Sequence, residues 1–179
     1  MRQDIQEILF SEEQLNKRVA ELGAEITAEY MGKPLTVVGI LKGSNIFTSD
    51  LVRKINLPLK MDFMAVSSYG NATESTGVVK IMKDLDRSIE GENILIVEDI
   101  VDSGLTLKYL KENLLTRNPA SVRICTLLDK PARRKEEVKV DFKGYEVPDE
   151  FIVGYGIDYA ERYRNLPYIG VLKREVYEK

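Results

Sequence analysis

Residues 93–106 read NILIVEDIVDSGLT, and no other segment of the sequence is as informative about the fold. It opens with the apolar run ILIV at 94–97, which predicts a buried strand. Two acids follow at once, and an acid, a serine and a glycine then precede a segment that is compatible with a helix. In an open α/β sheet, ligands bind at the carboxyl ends of the strands. The stretch therefore predicts a buried strand that runs into an acidic turn at the start of a helix, with a ligand site at that turn.

The residue types of this turn indicate what it binds. A helix N-terminus carries free N–H groups and a partial positive charge, and both suit a phosphate. The adjacent carboxylates of Glu98 and Asp99 suit a sugar diol or a hard cation such as Mg2+. The alternative is an ordinary polar turn in which Ser103 caps the helix. Paired acids at the end of a buried strand have no evident structural purpose, so the ligand site is the favoured interpretation.

Length and composition limit the class of protein. A chain of 179 residues predicts one compact domain, and 44% hydrophobic with 31% charged residues is typical of soluble globular proteins. The net charge of −3 argues against binding nucleic acid by bulk charge. No apolar run approaches the ~20 residues that span a membrane. The N-terminus lacks the apolar core of a signal peptide, so we expect a cytoplasmic protein without a membrane partner.

The chain contains no histidine and one cysteine, and these counts exclude several kinds of chemistry. Catalytic Ser-His-Asp or Cys-His groups and Cys/His zinc sites are ruled out. Any general acid or base must be Asp, Glu, Lys, Tyr or a backbone group, and any metal must be a hard, oxygen-bound ion. Cys125 lies in an apolar run and is predicted to be a small core residue.

Apolar spacing predicts an α/β fold. Ser11 begins a capping box, and apolar residues at helical spacing follow it as far as Gly32. Further helices are predicted around 47–55 and 107–117, and strands at 35–41, 59–66, 78–85, 94–97, 122–128, 151–154 and 168–172. Strands that alternate with helices favour a parallel central sheet. The two predicted strands at 59–66 and 78–85 suggest an antiparallel annex, with an exposed polar loop at 67–77 between them.

Two further segments have residues suited to phosphate chemistry. In the loop after the predicted strand at 35–41, Lys42 supplies a positive charge and Gly43 lets backbone N–H groups approach an anion. An ordinary turn with Ser44 as helix cap explains that loop equally well. Ser68 and Tyr69 open the polar loop, which is either a lid that excludes water or a plain solvated hairpin.

Two later segments have residues suited to binding a ring. Lys130 follows a strand and could donate a hydrogen bond to a ring carbonyl, although basic residues after it also fit a surface loop. Phe151 could stack on a flat base, and Asp158 could help to bind a cation. The alternative for these two is a core strand followed by a turn acid.

Residues 97–106 resemble the phosphoribosyl-pyrophosphate (PRPP) binding motif of the type I phosphoribosyltransferases. That motif has hydrophobic residues, two acids, two hydrophobic residues, an acid, Ser or Thr, Gly, and a Thr two residues later, and every position is matched. When the segments described above are included, residues 35–172 resemble hypoxanthine-guanine phosphoribosyltransferases of the short bacterial kind. It implies a single domain, 1–179, with a mostly parallel sheet flanked by helices in a core of roughly 33–145. A small hood would come from the N-terminal segment and roughly 146–179.

The resemblance also implies an activity. Members transfer the phosphoribosyl group of PRPP to N9 of hypoxanthine or guanine, with Mg2+, and give IMP or GMP plus pyrophosphate. They are commonly homo-oligomers, dimers or tetramers. Asp102 would accept the proton from purine N7. The 5′-phosphate would lie against Asp102, Ser103, Gly104, Leu105 and Thr106.

The remaining roles follow from the same resemblance. Pyrophosphate would contact Lys42, Gly43 and Arg164, and the Leu41–Lys42 peptide can be cis in this family. Glu98 and Asp99 would face the ribose hydroxyls. Ser68 and Tyr69 would belong to the lid. The purine would contact Lys130, Phe151, Ile152 and Asp158, and the metal would contact Glu98, Asp99 and Asp158.

Other functions remain open at this point. The PRPP motif also occurs in regulators that bind nucleic acid, but these usually need an added domain or a basic face. A phosphoribosyltransferase for xanthine, adenine or orotate is the next alternative, and a plain α/β binding domain is the last. Lys130 and residues 151–158 favour a 6-oxopurine, but the sequence does not rank hypoxanthine, guanine and xanthine.

Overall fold

A computed structural model of the chain describes residues 1–69 and 78–178. Its strands are β1 (Ile5–Phe10), β2 (Leu35–Leu41), β3 (Lys60–Tyr69), β4 (Val78–Lys83), β5 (Asn93–Val101), β6 (Ser121–Asp129), β7 (Phe142–Glu146), β8 (Ile152–Val153) and β9 (Ile169–Leu172). Its α-helices are α1 (Glu12–Glu29), α2 (Asn45–Val52), α3 (Leu105–Leu115) and α4 (Arg174–Tyr177). Among the described residues, no helix is long and apolar enough to cross a membrane.

The central sheet has six strands in the order β4-β3-β2-β5-β6-β7. All neighbours are parallel except β4, which runs antiparallel to β3. This arrangement confirms the predicted α/β class and its mostly parallel sheet. The hairpin that the sequence suggested as an annex belongs to this sheet, because residues 60–65 of β3 pair with β2.

A second, smaller sheet joins the two ends of the chain. Its order is β1-β9-β8, all antiparallel, and Ile5 of β1 pairs with Leu172 of β9. The hood of terminal segments that the resemblance implied is therefore present. Strand β1 was not predicted, because only Ile5 of its six residues is buried and the apolar pattern is weak. Strand β7 was missed for the same reason, since Phe142 alone is buried there.

The core fills both faces of the central sheet. Leu95 and Val97 of β5 pack with α1 and α2, whereas Ile94 and Ile96 pack with α3. A parallel strand covered on both faces needs an unbroken apolar run, which is why residues 94–97 gave such a clear signal. Cys125 lies inside this core, as predicted, and burial raises the pKa of its thiol.

Two strands extend further than predicted. The sequence placed Glu98 and Asp99 in a turn, but β5 continues to Val101 because its pairing with β6 does. The prediction of a polar loop at 67–77 was also wrong at its start, since residues 67–69 belong to β3. Its remainder, 70–77, lies outside the described residues. Both strand extensions carry polar side chains, which a search for apolar runs cannot recognise.

Candidate active site

A cavity of about 330 Å³ lies at the carboxyl ends of β2 and β5, as expected for an open α/β sheet. It gathers segments that are far apart in the sequence: the loop after β2, the end of β5, the start of α3 and the loop after β8. The predicted residues that line it are Lys42, Gly43, Glu98, Asp99, Asp102, Ser103, Gly104, Thr106, Asp158 and Arg164.

The start of α3 forms one wall of this cavity. Gly104 occupies the cap position with φ 83°, a left-handed conformation that favours glycine. The alternative role of Ser103 as the helix cap is therefore wrong by one residue, although its Oγ accepts from the N–H of Leu105 at 3.4 Å. The first N–H groups of a helix have no acceptor within the helix. Together with the hydroxyls of Ser103 and Thr106, they form a wall suited to a phosphate.

A second cavity, of about 430 Å³, adjoins the first, and Asp102 lines both. Its carboxylate oxygen Oδ1 is buried and has no hydrogen-bond partner among the described residues. A buried carboxylate oxygen without a donor is costly, unless a ligand brings one. Asp102 is thus placed to accept a proton from a molecule in either cavity.

Glu98 and Asp99 bring two adjacent carboxylates to the first cavity. Burial, reinforced by the neighbouring charge of Asp99, holds the pKa of Glu98 well above its ordinary range. Burial also raises the pKa of Asp99, although its Oδ1 accepts from the N–H of Ile100 at 2.6 Å. The N–H of Asp99, which donates to Glu98, and the charge of Arg164 offset this burial only in part, so the pair still lacks full compensation by positive charge or donors. Hydroxyl groups or a cation would supply them.

Lys42 and Arg164 supply the positive charge of the cavity. The peptide bond between Leu41 and Lys42 is cis, as the resemblance allowed. Lys42 Nζ contacts Glu161 at 2.8 Å. Arg164 pairs with Asp158 at 2.9 Å and with Glu161 at 3.2 Å, while its Nε is buried without a partner among the described residues. A free donor on Arg164 is suited to an incoming anion.

The second cavity is suited to a flat ring with a carbonyl group. Lys130 is buried there, and burial lowers the pKa of its amine. Its Nζ donates to the carbonyl oxygen of Glu150 at 2.8 Å, which leaves N–H groups for a ligand. Phe151 and Ile152 line the same cavity, and Asp158 lies where the two cavities meet.

One aromatic residue of this cavity was not predicted. The ring of Tyr177 in α4 stacks on Phe151, with centroids 4.6 Å apart and planes 24° apart, and Tyr159 meets Phe151 edge-on at 5.4 Å. Phe151 thus has one face covered by the chain itself. A lone tyrosine near the end of the sequence carries no local motif, so only the three-dimensional structure places it here.

The acids do not form a complete metal site by themselves. Among the described residues, no group of three His, Cys, Asp or Glu is arranged to hold a metal ion. The carboxylate of Asp158 is already engaged, by Arg164 and by the N–H of Glu161 at 2.9 Å. Mg2+ usually takes one or two carboxylates together with substrate phosphates and water. The adjacent pair of Glu98 and Asp99 fits that requirement.

The lid predicted at Ser68 and Tyr69 falls at the edge of the described region. The backbone of these two residues belongs to β3 and pairs with Val79 and Val78 of β4. Residues 70–77, where the rest of the lid was expected, lie outside the described residues. The lid therefore stays a prediction.

Comparison with known proteins gives consistent similarities. A family model described as the phosphoribosyl transferase domain matches residues 6–160. The chain is 60% identical over 178 residues to the hypoxanthine-guanine phosphoribosyltransferase of Bacillus subtilis, with 99% of each chain covered. It is 55% identical over 177 residues to that of Staphylococcus aureus strain N315, again with 99% of each covered. A crystal structure of a hypoxanthine phosphoribosyltransferase from Staphylococcus aureus superposes with a TM-score of 0.97 at 54% identity, covering 100% of this chain and 97% of that one.

Proposed function

The chain belongs to the phosphoribosyltransferase family, and from that premise we propose that its two adjoining cavities serve a single transfer reaction of purine salvage. The enzyme moves the 5-phosphoribosyl group of PRPP to N9 of hypoxanthine or guanine and releases IMP or GMP with pyrophosphate. The observation that carries this proposal is the position of Asp102, which lines both cavities and has a buried carboxylate oxygen without a partner among the described residues.

The first cavity binds PRPP. The 5′-phosphate lies against Asp102, Ser103, Gly104, Leu105 and Thr106, a proposal supported by the glycine cap and free N–H groups at the start of α3. Lys42, the backbone of Gly43 and Arg164 hold the pyrophosphate group. This assignment is supported by the two cationic side chains on this side of the cavity and by the Nε of Arg164, which has no partner among the described residues.

Glu98 and Asp99 face the ribose hydroxyls and are the residues that would hold Mg2+. When bound, the ion would neutralise charge on the departing pyrophosphate. Asp158, which the resemblance also assigned to the metal, adjoins both cavities but has both carboxylate oxygens engaged. It would act on the metal only after Arg164 turns to the pyrophosphate group.

The second cavity binds and deprotonates the purine. Lys130 donates to O6, Phe151 stacks on the ring, and the backbones of Ile152 and Asp158 contact its other edge. N9 forms a bond to C1′ of the ribose as the bond from C1′ to the pyrophosphate oxygen breaks. The proton on N7 passes to Asp102, because a chain without histidine must use another base and this carboxylate oxygen is free to accept.

The cellular setting completes the proposal. We place the enzyme in the cytoplasm, as a homo-oligomer, a dimer or a tetramer, with PRPP, a 6-oxopurine and their products as ligands and no nucleic acid. Residues 1–179 form one domain, with a core of roughly 33–145 beneath the hood. Ser68 and Tyr69 belong to a lid that shields the developing positive charge on C1′ from water.

A direct assay tests the proposal. Purified protein is mixed with PRPP, Mg2+ and one of hypoxanthine, guanine, xanthine or adenine, and nucleotide formation is followed by ultraviolet difference spectra. We expect conversion of hypoxanthine or guanine that stops when the metal is chelated. No nucleotide from either base, with the protein folded, would refute the function, and faster conversion of xanthine would reassign the substrate.

A further inference from the structure

Glu161 connects the two cationic side chains of the first cavity. Its Oε2 lies 2.8 Å from Lys42 Nζ, and its Oε1 lies 3.2 Å from the Arg164 guanidinium. Lys42 comes from the loop after β2 and Arg164 from the loop after β8, so Glu161 is the carboxylate that joins both loops. The neighbouring cations lower the pKa of Glu161, which keeps it charged.

The backbone around Glu161 holds this position. Ala160 and Glu161 both have left-handed φ values, 49° and 63°, which residues other than glycine rarely adopt. Tyr159 and Arg162 exchange backbone hydrogen bonds across them, at 3.1 and 3.0 Å. The N–H of Glu161 donates to Asp158 at 2.9 Å. The loop is thus closed by its own contacts and does not depend on the ion pairs of the Glu161 carboxylate.

We propose that Glu161 is an internal substitute for pyrophosphate: its carboxylate pairs with Lys42 and Arg164 and must be displaced from them when PRPP binds. This inference rests on the proposed function, in which those two residues hold the pyrophosphate group. Glu161 thereby sets the affinity for PRPP and assists release of pyrophosphate, since its carboxylate regains the two cations as the product leaves.

The exposure of these ion pairs determines the size of the effect. The Lys42 and Glu161 side chains are 67% and 64% exposed, and exposed ion pairs are weak. A pyrophosphate group with several charges can therefore displace one carboxylate. Replacing Glu161 with glutamine removes the charge and keeps the shape. We expect PRPP to bind roughly two- to fivefold more tightly in Glu161→Gln, the range that one or two exposed pairs provide.

The experiment compares Glu161→Gln with the unaltered enzyme. Calorimetry in Mg2+ buffer gives the Kd of PRPP, and steady-state kinetics give KM for PRPP and for hypoxanthine. The Kd and KM of PRPP should fall, and inhibition by added pyrophosphate should strengthen by a similar factor. KM for hypoxanthine should not change. The gain should shrink as salt is raised, because screening weakens exposed pairs.

A matched control separates this effect from a change in net charge. Glu90→Gln removes the same charge from an exposed residue near the opposite end of β5, and PRPP affinity should not change. Equal or weaker PRPP binding in Glu161→Gln would overturn the inference, because it would mean that Glu161 only orients the two cations or does nothing. That failure differs from failure of the proposed function, in which the unaltered enzyme itself would form no nucleotide.

Discussion

The carboxylate of Asp99 lies directly against the backbone of Gly43. A Cβ atom added to Gly43 would be 1.8 Å from Asp99 Oδ2, far inside any tolerable contact. A Cβ atom added to Gly156 would likewise lie 2.1 Å from the carbonyl oxygen of Gly43. Three segments of the active site therefore meet at Gly43, and the absence of a side chain there is a requirement of packing.

Gly43→Ala should disable the enzyme without unfolding it. The methyl group must push Asp99 or the loop after β2 out of place, and misplacement by about 1 Å can cost roughly 100-fold in rate. We expect kcat/KM for PRPP to fall by about that factor. Gly32→Asn is the control, because Gly32 has nothing within 4 Å of an added Cβ and asparagine tolerates its φ of 73°. Near-normal activity of Gly43→Ala would mean that the contact with Asp99 has no part in catalysis.

Asp102→Asn should separate PRPP binding from turnover. Asparagine keeps the shape of the side chain but cannot accept the purine proton, and general-base catalysis contributes about 10²–10⁴-fold. We expect the Kd of PRPP by calorimetry to be largely retained and kcat to fall well over tenfold. The exposed Asp86→Asn serves as control. If kcat of Asp102→Asn stays close to normal, another group must be the base.

Lys130 should make adenine a poor substrate. A buried amine that donates to O6 is left unpaired by a 6-amino group, at a cost of ~1–3 kcal/mol. Lys130→Met should reduce kcat/KM for hypoxanthine about tenfold or more, since hydrogen bonds to charged groups contribute ~1.5–3 kcal/mol. KM for PRPP should change little, and Lys139→Met, at an 81% exposed side chain, should change neither. Comparable rates with adenine and hypoxanthine in the unaltered enzyme would remove the role given to Lys130.

Five of the six strands of the central sheet and most of the first cavity were predictable because their signals are local. One short segment contains the apolar run at 94–97, the acids that follow it and Gly104. Each of these features restricts the local backbone conformation. Lys130 and Phe151 could be proposed because each adjoins a recognisable strand. Arg164 lies in no regular element and was reached only through the resemblance.

The sequence could not reveal contacts that join distant segments. Glu161 contacts Lys42 and Tyr177 contacts Phe151, residues far from them in the chain, and neither Glu161 nor Tyr177 belongs to a periodic pattern. The extension of β5 through its acids was hidden for another reason. Glu98 and Asp99 interrupt the apolar pattern, and the pairing with β6 continues past them to Val101.

Glu98→Gln should stabilise the metal-free enzyme while impairing its function. Burial raises the pKa of Glu98 above its ordinary value of 4.5, so the folded state favours the protonated form. Stability from this group is present below pH 4.5 and is lost as pH rises through the raised pKa of the folded state. As pH rises above 4.5, the unaltered enzyme therefore loses stability that Glu98→Gln keeps, because glutamine has no proton to lose. Each ~1 kcal/mol relieved should raise Tm by about 2–4 °C in a chain of this size.

The pH profile distinguishes this effect from general stabilisation. In chelator-containing buffer, the difference in Tm between Glu98→Gln and the unaltered enzyme should be small at pH 5 and grow toward pH 8. Glu90→Gln, at an exposed residue, should show no such trend. Adding Mg2+ with PRPP should then stabilise the unaltered enzyme more than Glu98→Gln, because the carboxylate is needed for binding. A Tm difference that is constant with pH, or a Glu98→Gln variant less stable at pH 8, would contradict the assignment of an uncompensated charge at this position.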